Sequence, residues 1–343
     1  MSCKRHVLGI AAAAALLAGC SAPGPALTGA SPARLGPDSR SQEYIYVANE
    51  IGSHSNWHSA VDIFPIDSSG DAPPSEIITG AQTHLTQVNG IVVTPGGEIY
   101  VADTDTNEIV GFPVSASGNS SPNVIIHGAR TQLSWPIGLA LDASGDLFVA
   151  ECASDCTYGS MRPAVLEFAR GANGNTYPVR EITGPRTGLS HANAIALDSK
   201  GNIYVSNIGG GSGGNSIDVF VPDAFGNARP SRVIEGSRTR LDGPLGIAVD
   251  RYGLYADSDY DSYVVRFKEN ARGDVSPLAT IAGSKTDLSG PDGMAIDSSG
   301  AVFSTSRQRI LKFLPLANGN ARPSDKIEGS LTQLVSPTFL YVQ

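Results

Sequence analysis

The sequence predicts an all-β chain folded as a six-bladed β-propeller, with four antiparallel strands per blade and a ring closed by N- and C-terminal strands that share one blade. Three observations predict it. One pattern, G-[ND]-x-x-P-x3-I-x-G-x2-T-x-L, recurs six times without an internal gap, beginning at Gly70, Gly118, Gly174, Gly226, Gly273 and Gly319. After each copy except the last comes an apolar run, a turn and an alternating strand. The composition, with 39 Gly, 22 Pro and 17% charged residues, favours strands and turns over long amphipathic helices.

Each unit supplies its strands in the same order. The clearest case runs from Gly138-Leu-Ala-Leu-Asp142 through the turn Ala143-Ser-Gly-Asp146 into Leu147-Phe-Val-Ala150. Gly90–Val93 leads to Ile99–Ala102 in the same way, and Ile195–Asp198 leads to Ile203–Ser206. Two short apolar runs joined by an Asp/Gly turn predict a hairpin. A third strand follows a loop of variable length, as at Val165–Phe168 and Ile217–Phe220, and the fourth lies around the Pro-x3-Ile segment. The period falls in the range of propeller repeats. A lone four-stranded sheet buries neither face, whereas six in a ring bury each face against the next. The ends fit that closure: Tyr44–Ala48 is a strand of the second type and Phe339–Val342 one of the first type, so together they complete a blade.

The first residues read as a processing signal. Lys4 and Arg5 precede an apolar run, Val7–Leu17, that is too short to span a bilayer stably. It ends in Leu17-Ala18-Gly19-Cys20, which resembles the lipobox of bacterial lipoproteins. The resemblance implies a signal peptide over residues 1–19, lipidation (palmitate) of Cys20 as the mature N-terminus, and a lipid-anchored protein of the cell envelope. Ser21 after the Cys, in place of the Asp of retention signals, implies the outer membrane. Residues 20–42 are rich in Pro, Gly, Ser and Ala and read as a flexible tether, leaving residues 43–343 for the propeller.

A net charge of -9 without a basic stripe excludes nucleic acid as a partner class, because phosphate binding needs clustered Lys and Arg. Cys152 and Cys156 favour a local disulfide in an oxidising periplasm. Their spacing departs from the redox C-x-x-C, and no second Cys or His pair accompanies it at metal-ligand spacing.

Runs such as Pro136–Asp142 and Gly145–Glu151 resemble NHL repeats, and the likeness extends over residues 43–343. The resemblance implies the fold; propellers of this kind serve as enzymes, scaffolds and binding modules alike.

Propeller ligands usually meet one end of the central channel. The residues just before each innermost strand are Asn89, Ile137, Asn193, Leu245, Asp292 and Thr338. Asn89, Asn193 and Asp292 would converge from alternate blades as oxygen ligands for Ca²⁺ or another divalent cation; the alternative is that they cap turns and bind channel water. Pro291–Asp297 also resembles a segment of the gluconolactonase/regucalcin-like hydrolases, which implies metal binding by Asp292, with Asn193 as the family's Asn. Here Leu245 intervenes between the two blades, and no residue matches that family's N-terminal Glu. A second set, Asn49, Asp103, Glu151, Asn207, Asp257 and Ser306, is expected to hold the following loops by local hydrogen bonds.

Loops after the second strand are long in the first, third and fourth blades. They carry His54, Trp57 and His58, then Cys152, Cys156 and Tyr158, then Gly209–Gly214. Uneven loops on a repetitive frame are where specificity is placed, which makes His54, Trp57, His58 and Tyr158 candidate ligand-binding residues. Gly210-Gly-Ser-Gly-Gly214 lacks the strand-to-helix turn of a nucleophile elbow. Without a complete catalytic set, the expected function is a membrane-anchored binding or scaffolding propeller that recognises a protein, peptide or glycan through its loop face. The alternative is a divalent-metal-dependent lactonase or lyase using Asn193 and Asp292.

Overall fold

A computed structural model describes residues 43–51, 58–152, 163–209 and 214–343. Six separate four-stranded antiparallel sheets form the body. Blade two is typical: Val88–Val93, Ile99–Asp103, Glu108–Phe112 and Val124–Ile126 pair in chain order, innermost first. Blades three to six begin with Pro136–Leu141, Ala192–Leu197, Ile247–Asp250 and Met294–Ile296. Blade one takes its innermost strand, Ser336–Val342, from the C-terminus and its second, Tyr44–Ile51, from the N-terminus, with Ile45 opposite Val342 and Tyr46 opposite Tyr341. That strand also packs between the innermost strands of blades two and six, so the ring has no gap. The propeller, its strand order and the shared blade are therefore as the sequence predicts.

Period-2 alternation puts one row of each blade against each neighbour. The third strands carry Phe64, Phe112, Phe168, Phe220, Phe267 and Phe313 at or next to their last position, each at most 1% exposed. Tyr46, Val61 and Ile78 of blade one pack with Ile91, Val101 and Phe112 of blade two, and the other junctions repeat that arrangement.

The recurring motif forms the joint between blades. Its Asn or Asp reaches back to the preceding blade and accepts a backbone N–H there. Asn119 accepts from Gln82 at 2.7 Å, Asn175 from Arg130 at 2.8 Å and Asn227 from Arg186 at 2.8 Å. Asp274 accepts from Arg238 at 2.7 Å, Asn320 from Lys285 at 2.7 Å and, across the closure, Asp71 from Leu331 at 2.6 Å. Beside each of these, the motif's first Gly donates its N–H to the preceding outermost strand, as Gly118 does to Ile77 O at 2.6 Å. The contact covers an edge that would otherwise expose unpaired backbone groups. The motif's Thr is buried in every copy. Thr83 donates to Gly80 O at 2.7 Å and accepts from the Leu85 N–H at 3.2 Å, closing the turn into the next blade. Residues repeated in all six copies thus serve architecture, and specificity must come from what is not repeated.

Candidate functional site

One end of the ring carries both the turns after each second strand and the crossings into each innermost strand. At this loop face Asn89, Ile137, Asn193, Leu245, Asp292 and Thr338 form one tier around the channel. Adjacent innermost strands approach very closely there. A Cβ on Gly138 would lie 2.4 Å from Asn193 O, and one on Gly293 would lie 2.4 Å from Thr338 O, so only Gly fits at those two junctions.

The three expected oxygen ligands stand in this tier on alternate blades. Asn89 donates its amide N–H to Thr104 Oγ1 at 2.6 Å. Asn193 is buried, and its Oδ1 has no hydrogen-bond partner. The Asp292 backbone N–H donates to Thr305 Oγ1 at 3.2 Å. Among the described residues, no group of three His, Cys, Asp or Glu side chains is gathered closely enough to hold a metal ion. His58 opens the third strand of blade one and is exposed. Cys152 is buried and disulfide-bonded. Its expected partner Cys156, together with Cys20, His54, Trp57, Tyr158 and Gly210–Gly213, lies outside the described residues.

The second set makes hydrogen bonds at the loop face, but to the crossing that leads into each innermost strand and not to the following loop as expected; Asp103 also accepts the Thr106 N–H at 3.3 Å in the loop after it. Asp103 accepts the Thr86 N–H at 2.5 Å, Glu151 that of Ser134 at 2.6 Å, Asn207 that of Ser190 at 2.9 Å, and Ser306 Oγ that of Ser289 at 2.7 Å. Asn49 Oδ1 accepts from both Val335 and Ser336, at 3.0 and 3.1 Å. In blade five this role falls to Ser258, whose Oγ accepts the Asp242 N–H at 2.9 Å, and not to Asp257. The reason is a shorter hairpin. Asp250 pairs directly with Gly253 and Ile247 with Ala256, whereas blade three has Leu139 opposite Val149. The loss of one residue moves Asp257 to the other face of its strand.

Asp257 is fully buried as a result. Its Oδ1 accepts the Gly246 N–H at 2.7 Å, and its Oδ2 has no partner. A Cβ on Gly246 would lie 2.5 Å from that Oδ2, 2.9 Å from Met294 N and 3.0 Å from Gly293 Cα, so only Gly fits between Asp257 and the blade-six backbone. Burial first, and then the charges of Asp292 and Asp259, push its carboxyl well above the usual range. Burial and Asp259 push Asp292 up to about 7. Glu50, at the end of the second strand of blade one, is pushed up to about 7 by burial and then by Asp292, although Gln87 donates to it. None of these three carboxylates forms an ion pair among the described residues.

Sequence reading missed Glu50 and Asp257 as site residues, and also the rim beside them. Trp135 and His191 stand one residue before the innermost strands of blades three and four, with φ 65 and 45. Bulky residues in the left-handed region store strain of the kind concentrated at functional sites. Each is held in place. Trp135 donates its backbone N–H to Asn107 Oδ1 at 2.5 Å, and His191 Nδ1 lies 3.3 Å from Ile208 O. In blade five, the exposed Tyr260 ring covers Gly243, 2.9 Å from where a Cβ would stand. The loop-face half of the blades thus carries carboxylates raised by burial that form no ion pair among the described residues, with Trp135 and His191 at the crossings into blades three and four. A groove of about 620 Å³ lined by Pro178, Val179, Asp223 and Phe225 lies apart from it, on the outer edge between blades three and four.

Comparison with known proteins agrees with this architecture. The NHL repeat family model matches residues 85–112, the first three strands of blade two. The chain is a six-bladed β-propeller that carries an NHL-type repeat. No curated protein matches it in sequence. Among solved structures, a protein of unknown function from Bacteroides caccae is similar at 12% identity and a TM-score of 0.60, over 88% of this chain and 99% of that one. A chain of a nidogen/laminin complex is similar at 14% identity and a TM-score of 0.60, over 88% and 98%. A catalytically inactive virginiamycin B lyase from Staphylococcus aureus, solved with quinupristin, is similar at 14% identity and a TM-score of 0.51, over 87% and 92%. At these identities the likeness is one of fold.

Proposed function

We propose that this protein is a binding propeller, held at the membrane by a lipid on Cys20, that recognises a protein or peptide partner through its loop face. One observation carries the reading. The repeated Gly, Asn or Asp and Thr are used in joining blades and closing the turns between them, whereas the non-repeated part of the loop face retains carboxylates that cost stability and form no ion pair among the described residues. Natural chains keep such destabilising groups where binding needs them. Trp135 and His191 on the rim, with the uneven loops around them, supply the specificity that a repetitive frame lacks. The lipobox-like Leu17–Cys20 and the tether after it support attachment to the membrane.

The test is site-directed photo-crosslinking in the producing cell, with the crosslinker at Tyr260 on the loop face or at Arg251 in a hairpin turn on the opposite face. The reading expects a discrete adduct from Tyr260 and none from Arg251. An adduct from Arg251 alone, or equal yields from both, refutes it.

A further inference from the structure

We infer that the outer groove between blades three and four binds an extended, proline-rich peptide segment that carries an Arg or Lys beside its prolines. This site is separate from the loop face and goes beyond the role proposed there. Its lining departs from the repeat. Phe225, 74% exposed, stands directly before the motif's Gly226, where the other copies carry Ser69, Ser117, Asn173, Arg272 and Asn318. Val179, 62% exposed, follows the motif's Pro178, where Ser75, Ser231 and Ser324 stand in blades one, four and six. Exposed apolar side chains at positions that the same frame elsewhere makes polar mark a contact surface.

The polar groups around them select the occupant. In blades two and five the outermost strand is capped at its edge by an Asn: Asn173 accepts the Ile125 N–H at 3.0 Å and Asn318 that of Thr280 at 2.9 Å. Glu181 is the equivalent residue of blade three. Its O takes the Gly226 N–H at 2.7 Å and its own N–H points the same way, but Phe225 replaces the Asn, so this donor has no side-chain acceptor there. The carbonyls beside it are already used, since Arg180 Nη1 donates to Pro222 O and, at 3.2 Å, to Ala224 O. A backbone donor between apolar walls suits a ligand that brings carbonyls and no N–H groups. Proline supplies that, in a polyproline II segment that costs little entropy to order. Asp223 and Glu181 line the groove and form no ion pair among the described residues, whereas Arg180 is paired with Glu167. Charge complementarity therefore places a cation beside the prolines. The surface is too small for a second copy of the chain: the exposed parts of Val179, Phe225 and neighbouring Tyr177 come to roughly 400 Å², against about 800 Å² per partner in a stable interface. A groove of about 620 Å³ has the size of a site for a short segment.

Calorimetric titration of the full chain with N-acetyl-hexaproline-arginine-amide tests this, with its Ala-for-Pro and Glu-for-Arg versions and maltohexaose as parallel probes. The proposal expects sub-millimolar binding of the proline–arginine peptide, at least about tenfold weaker binding of the Ala version, and severalfold weaker binding of the Glu version. Phe225→Asn installs the residue that blades three and six carry at this position, so it should unfold in denaturant as wild type does and lose at least about tenfold in affinity. Absence of binding, equal binding of the Pro and Ala peptides or of the Arg and Glu peptides, full affinity in Phe225→Asn, or binding of maltohexaose in place of the peptide overturns the proposal.

Discussion

Replacing Asp292 by Asn should stabilise the protein, and the gain should grow with pH. Burial, then the charge of Asp259, raises the Asp292 pKa from 3.8 to about 7. Between those values the native state retains a proton that the unfolded chain has released, so native stability falls as pH rises. Below the lower value both states are protonated and nothing is lost. Above the upper value the loss is complete, and at about 1.4 kcal/mol per pH unit it amounts to about 4 kcal/mol. Asn has nearly the same volume and does not titrate. Urea denaturation of Asp292→Asn against wild type should therefore show little difference near pH 4 and a gain approaching about 4 kcal/mol by pH 8, with unchanged m-values. Glu50 and Asp257 also lose a repelling neighbour, which moves the result the same way. A variant less stable than wild type at alkaline pH, or a gain that ignores pH, would show that Asp292 has a counter-charge and that the mouth is not electrostatically strained.

Three further outcomes follow from the joints and the tether. Phe168→Ala removes a fully buried ring between blades and should cost about 3 to 5 kcal/mol in denaturant unfolding. Asn175→Ala deletes one neutral hydrogen bond to the Arg130 N–H and should cost only about 1 kcal/mol in the same measurement. Cys20→Ser should move the protein from the membrane fraction to the soluble fraction of fractionated cells; unchanged membrane association would remove the lipid anchor from the account.

The blades were legible in the sequence because each repeat writes its turns in Gly, Pro and Asn or Asp and its strands in alternating apolar residues. Gly118 and Asn119 mark a blade joint even before their partners Ile77 and Gln82 are known. The shared blade was legible as well, since Tyr44–Ala48 and Phe339–Val342 are each half of a hairpin seen whole elsewhere. The mouth was only partly legible. Repeat alignment placed Asn193 and Asp292 in one tier, but it carried no sign of which acceptors would lack donors. Asp257 was misplaced because Asp250–Gly253 turns one residue sooner than Asp142–Asp146, and a one-residue change exchanges the faces of a strand. Glu50 meets Asp292 only after the ring closes and brings the N-terminal strand beside blade six. That long-range coupling leaves no local pattern to read.

The most direct measurement is site-directed photo-crosslinking in the producing cell from Tyr260 on the loop face and from Arg251 in a hairpin turn on the opposite face. The account predicts a discrete adduct from Tyr260 and none from Arg251. An adduct from Arg251 alone, or equal yields from both, would contradict it.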